Sequence, residues 1–100
     1  MEPIRLWAVV RRHQHIEKDG VRVMAGLTLA DAKEALGELC REMDIERPMW
    51  LSKHENDWLK YHRTTFKAEH FIDHFPYDRL EIEAIVPGEK KKKVDLRYYP

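Results

Sequence analysis

Apolar residues along this chain fall into two rhythms, helical and alternating, and each predicts an element. Between Thr28 and Met43, the residues Leu29, Ala32, Leu36, Leu39 and Met43 recur at steps of three and four. At ~100° per residue they share one face of a helix. Thr28 is a favoured N-cap, and Asp31 three residues on forms a short version of the capping box. Ala35 and Cys40 flank the stripe, and Pro48 bars continuation after an exit over residues 44–47. From Ile4 to Ile16 the rhythm alternates. Ile4, Leu6, Ala8, Val10 and Ile16 take one side; Arg5, Trp7, Val9, Arg11, His13 and His15 take the other. Asp19-Gly20 then reads as a two-residue hairpin turn, a register that places Ile16, Val21, Val23 and Ala25 on one face and a Glu17–Arg22 pair on the opposite one. Leu80, Ile82, Ala84 and Val86 alternate against Glu81 and Glu83 as a final clear strand, ended by Pro87-Gly88.

The middle of the chain is less regular. Residues 47–52 read as a short strand with Met49 and Leu51 on one side and Trp50 on the other. Ser52 with Glu55 suggests a capping box for a short helix carrying Trp58, Leu59 and Tyr61. Residues 65–74 form a compact apolar stretch (Phe66, Phe71, Ile72) with room for a further helical turn before Phe75-Pro76. Near the C-terminus, Lys90, Lys91, Lys92 and Lys93 make a basic run, after which Val94, Leu96 and Tyr98 alternate with Asp95, Arg97 and Tyr99.

Hairpin, helix, strand, irregular segment, strand is an order that predicts an α+β fold. The expected architecture is a two-layer, β-grasp-like mixed sheet packed on one helix, with the last strand parallel to the first. Residues 1–86 would form that domain, and residues 87–100 a basic C-terminal arm or an extra strand. Another two-layer α+β sheet with a different strand order is the alternative.

Composition removes whole classes of function. One hundred residues suit a single modest core. Lysine plus arginine equals aspartate plus glutamate at 18 each, so no global field draws the chain to nucleic acid or to a membrane. Cys40 is the only cysteine, which excludes an internal disulfide and an all-cysteine metal site. No apolar run approaches the ~18 residues a membrane span needs, and the N-terminus lacks the pattern of a secretory signal, so a cytoplasmic location is expected.

Catalytic signatures are equally sparse. His54-Glu55 opens like the zinc-protease helix motif, but Trp58 stands where its second histidine belongs. The four glycines are scattered, without a phosphate-binding loop. No enzymatic activity and no cofactor are expected. His70 and His74, with His62, form a weak candidate metal set, weighed against surface histidines. Arg11, His13 and His15 join Trp7 and Arg5 on the outer side of the first strand and, with the lysine run, make nucleic acid an alternative partner. Glu34, Glu38 and Glu42 line one ridge of the helix, with Asp31 before them and Gly37 as a small-residue notch. They read either as a solvated face or as an acidic docking ridge. Trp7 and Val9, apolar on a side that should meet water, favour a non-enzymatic protein-interaction module using an exposed sheet face or edge. A protein partner is thus expected and self-association is allowed; no membrane contact is.

Several segments also carry a resemblance. Pro48-Met49-Trp50-Leu51-Ser52-Lys53-His54-Glu55, Arg63-Thr64-Thr65-Phe66, His70-Phe71-Ile72 and Asp78-Arg79-Leu80-Glu81-Ile82-Glu83 resemble stretches of a group of short uncharacterised bacterial proteins, over most of the chain up to Val86. The resemblance implies a bacterial, intracellular protein and attaches no activity to it. The element order is similar to that of ubiquitin-like proteins, but two jobs of that fold are not expected here. The chain ends Arg97-Tyr98-Tyr99-Pro100 rather than in the Gly-Gly of modifiers and sulfur carriers, and one cysteine cannot hold a ferredoxin cluster.

Overall fold

The computed structural model describes residues 3–87. The helix predicted over Thr28–Met43 is α1 (Leu29–Glu42). Thr28 accepts from the Asp31 N–H through its hydroxyl, and the Asp31 carboxylate accepts from the Thr28 N–H, so the capping box is complete. Ala32, Ala35, Leu36, Leu39 and Cys40 are buried along one stripe. They meet Leu6, Ala8 and Val10 of β1 (Ile4–Arg12) in one continuous apolar cluster.

The other elements are β2 (His15–Met24), α2 (Ser52–Tyr61), β3 (Arg63–Lys67) and β4 (Arg79–Ile85), with a short 3-10 turn over Ala68–His70 after β3. The strands order as β2-β1-β4-β3, and all three pairings are antiparallel. The two-layer α+β architecture is therefore as expected, but the sheet is not mixed. β4 lies beside β1 in the centre and runs against it, from Arg79 opposite Arg11 to Ile85 opposite Arg5. A second helix joins the first. Trp58 of α2 sits fully buried in the same cluster, its indole N–H donating to the Leu27 carbonyl at 2.8 Å.

The largest correction concerns the N-terminal hairpin. Asp19 and Gly20 do not turn the chain; they lie within β2, opposite Val9 and Ala8. The reversal occurs at His13 and Gln14, both at positive φ (52° and 71°). Gly20 is needed for a different reason. Its Cα faces α1, and a Cβ there would sit 2.9 Å from the Leu39 Cδ2. The missing side chain lets the helix approach the strand. A register shift between Val10 and Arg11 leaves Glu17 without an opposing residue, so the faces of β2 invert relative to the expected hairpin. Lys18, Gly20, Arg22 and Met24 line up with Val10, Ala8, Leu6 and Ile4 on the helix side, whereas Ile16, Val21 and Val23 face away.

That inversion explains the acidic ridge. Arg22 pairs with Glu42 and lies 3.3 Å from Glu38, and the Lys18 ammonium donates to the Met43 carbonyl. Two cations of the strand thus hold the helix. The notch at Gly37 is filled by the Arg47 guanidinium, 2.7 Å from where a Cβ would stand.

Two local expectations fail in the middle of the chain. Residues 47–51 form no strand. Pro48 has no N–H to donate, and the Met49 N–H instead donates to the His70 carbonyl at 2.7 Å. Residues 65–74 do hold a helical turn, the 3-10 turn over Ala68–His70, but they begin within β3, where Thr64 and Phe66 alternate inward. Leu51 rather than Ser52 caps α2, and His54 rather than Glu55 reaches back to it.

The hairpin turn itself yields an expected outcome. Side chains at φ above zero cost about 1 kcal/mol each, and Asn-Gly tolerates both positions. The His13 N–H donates to the Asp78 carboxylate, a backbone contact any residue retains. Replacing His13→Asn together with Gln14→Gly should therefore raise the unfolding free energy by about 1 kcal/mol, read from urea denaturation.

Candidate functional site

Three features present chemistry at the surface: the outer sheet face, a cleft beside α2, and the flank of α1. The outer face is built by alternate residues of the four strands. Across it, Val21 opposes Trp7, which opposes Glu83, which opposes Arg63; one row along, Asp19, Val9, Glu81 and Thr65 align. Ile16, Val21 and Val23 are 51%, 48% and 59% exposed. Trp7 is half-buried, its indole N–H donating to the Asp19 carboxylate at 3.2 Å, and Val9 is closed to solvent. Of the two apolar residues expected to meet a partner here, Trp7 is accessible and Val9 is not.

The charges on this face are largely matched. Arg11 lies 2.9 Å from Glu81, and Arg79 lies 2.7 Å from the other oxygen of that carboxylate. Burial by itself would raise the Glu81 carboxyl, but hydrogen bonds and charge from Arg79 and Arg11 outweigh it and hold the group below its ordinary value. His13 and His15 are exposed at and just beyond the hairpin turn. The cationic platform expected for nucleic acid is thus interleaved with Glu81 and Glu83, which repel phosphate. The lysine run Lys90–Lys93 and the Val94–Tyr99 alternation lie outside the described residues.

A cleft of about 410 Å³ opens between this face and α2. Lys53, Asp57 and Tyr61, four apart, form its helical wall; Trp7, Thr65 and Glu83 contribute from the sheet. Asp57 accepts from the buried Thr64 hydroxyl at 2.9 Å, which ties α2 to β3. Glu81 is clamped by two guanidinium groups and the Thr64 hydroxyl is engaged, so the cleft is a polar recess.

The histidines separate by role. His54 and His70 are buried. The Nδ1 of His54 accepts from the Leu51 N–H at 3.0 Å, and that of His70 accepts from the Lys67 N–H at 2.9 Å. Each imidazole caps the start of a helical segment. His62 occupies the left-handed position that ends α2, and His74 is exposed. Among the described residues, no three His, Cys, Asp or Glu side chains gather to hold a metal ion, so His62, His70 and His74 are not brought together as a ligand set. Cys40 is buried in the core, and burial pushes its thiol up to about 11 against the opposing charge of Arg47, leaving no thiolate at neutral pH.

On the α1 flank, Glu34 and Glu42 are exposed and Glu38 is half-buried. A shallow groove of about 200 Å³ separates this flank from the last residues of β2. Ile16, Val21, Val23 and Arg22 are the surface-determining residues that sequence reasoning misassigned, because the Asp19-Gly20 signal reversed the face of β2. A weak sign was present: Lys18, Gly20 and Arg22 alternate with Asp19, Val21 and Val23 without interruption.

No family model matches the chain, and neither a curated protein nor a solved structure matches it. No helix among the described residues is long and apolar enough to cross a membrane.

Proposed function

We propose that this protein is a non-enzymatic interaction module whose β2 edge takes up an extended segment of a partner protein. One observation carries the reading. Among the described residues, β2 is an outermost strand of ten residues, and its outward side chains Ile16, Val21 and Val23 stand about half exposed on the face that carries Trp7. Long edge strands with apolar outer faces pair with other chains unless something blunts them. In strand addition the incoming backbone satisfies the free N–H and C=O groups, and its alternate side chains cover the exposed ones.

A photo-crosslinking residue placed at Val21, and separately at Leu59, tests this in cells producing the protein. Leu59 is a fair control, being an exposed apolar residue (61%) on α2. Crosslinks to a discrete partner should form from position 21, be lost on Val23→Lys, and be absent from position 59. Val23→Lys should itself change stability by no more than ~0.5 kcal/mol, since the site is surface-exposed. Equal crosslinking from both positions would overturn the reading.

A further inference from the structure

The groove beside β2 constrains what that incoming segment can be. It is lined by Arg22, Val23 and Met24 of the strand, by Ala25 just after it, and by Asp31, Glu34, Ala35 and Glu38 of α1. Asp31 and Ala35 are four apart, as are Glu34 and Glu38, so one stripe of α1 overhangs this edge. Three of the four are carboxylates. The cation beside them, Arg22, is shared between Glu38 and Glu42. Asp31 accepts from the Thr28 N–H, Glu34 has no ion pair among the described residues, and Lys33 is turned to Glu55 of α2. Among the described residues, the flank keeps a surplus of negative charge facing a strand edge without a neighbour.

We infer that the β2 edge selects an extended segment alternating apolar and basic residues, its Lys or Arg side chains entering the groove beneath α1 and its apolar side chains extending the Val21–Val23 surface. The inference rests on the strand-addition reading and adds the chemistry of the partner. Side chains of an added strand alternate between the two faces of the sheet. Those on the helix side meet Glu34 and Glu38, where a cation is favoured and a carboxylate is repelled. Those on the outer side meet Val21 and Val23, where an apolar group is favoured. A second copy of this chain is a poor occupant. Its own Lys18 and Arg22 are engaged with its Met43 carbonyl, Glu38 and Glu42, and it would bring a second acidic flank against the first.

Ten-residue capped peptides test the selection on the full chain. One alternates valine and lysine; a second alternates valine and glutamate; a third scrambles the first so that the lysines are contiguous. Binding is followed by amide chemical shifts and by hydrogen exchange of the β2 amides at fixed salt. The Val/Lys peptide should protect β2 amides and bind at least about tenfold more tightly than the Val/Glu peptide. Glu34→Lys should remove most of that preference while leaving the uncomplexed fold unchanged, since Glu34 is exposed and has no ion pair among the described residues. Equal binding of the Val/Lys and Val/Glu peptides would overturn the charge selection yet leave strand addition standing. Equal binding of the scrambled peptide, without β2 protection, would reduce the effect to diffuse charge attraction and overturn it. Concentration-dependent self-association through β2 would also overturn it, in favour of a second copy. If neither alternating peptide touches β2, the strand-addition reading falls as well.

Discussion

Acidification from neutral pH to about pH 4 should remove about 3 kcal/mol of folding stability through one side chain, His54. The imidazole is fully buried, stacked on Phe66 at 4.3 Å with the His70 ring edge-on at 4.5 Å. Its Nδ1 is the acceptor for the Leu51 N–H, so a second proton must go to the nitrogen that caps α2. Burial above all, then the neighbouring His70 and the Lys53 charge, lower its pKa from about 6.5 to about 4; Asp57 and the Thr65 backbone oppose them weakly. The unfolded chain protonates this histidine near 6.5 and the folded one resists until about 4. The contribution is therefore complete above the unfolded value and is lost as pH falls through that window. A shift of that size corresponds to about 3 kcal/mol at ~1.4 kcal/mol per unit. His54→Gln keeps an acceptor at the same helix position and cannot titrate. Urea unfolding of both proteins across this range should show the wild type losing about 3 kcal/mol more than the variant. Parallel curves would show that His54 is not the group responsible.

Leu39→Ala should cost about 2–5 kcal/mol, because the side chain is fully buried between α1 and β2 and its removal leaves a cavity. Gly20→Ala, the reverse intrusion at the same contact, should cost about 1–3 kcal/mol, since the new Cβ would stand 2.9 Å from the Leu39 Cδ2 in a filled core. The two should be strongly coupled. With Leu39 shortened, the methyl at position 20 enters vacated space, so the double variant should be more stable than the sum of single losses by at least about 1 kcal/mol. Denaturation of the four proteins measures that coupling, and strict additivity would place Gly20 away from the helix. Glu38→Ala removes only a half-exposed ion pair with Arg22 and should cost at most about 1 kcal/mol.

The candidate surface was legible only in part. The carboxylates of α1 were visible as a ridge because helical spacing is local: any residues three and four apart meet, whatever lies beneath. That two of them are held by Arg22 was not visible, since the contact depends on which face of β2 looks toward the helix. Trp7 could be placed on the outer face from alternation alone. The burial of Val9 beside it depends on neighbours brought by other strands. Nor does spacing reveal that His54 and His70 touch, sixteen positions apart, because that contact exists only once α2 and the 3-10 turn have packed around Phe66.

What the chain determines by itself is whatever its local periodicity and capping chemistry specify: α1 with its Thr28–Asp31 cap, the alternation of β1 and β4, and an α+β outcome with an apolar stripe to bury. Tertiary structure decided the direction of pairing, the place of the first reversal and the face of β2. Asp19-Gly20 has the composition of a turn, but a glycine answers equally to a demand for positive φ and to a demand for empty space. Here the second demand won, because seating Leu39 against the sheet requires a position without a Cβ, whereas His13 and Gln14 can carry the turn at modest strain. That choice is made by packing across the layers, between residues no short window contains. It also turned Val21 and Val23 outward, onto the exposed face of the sheet.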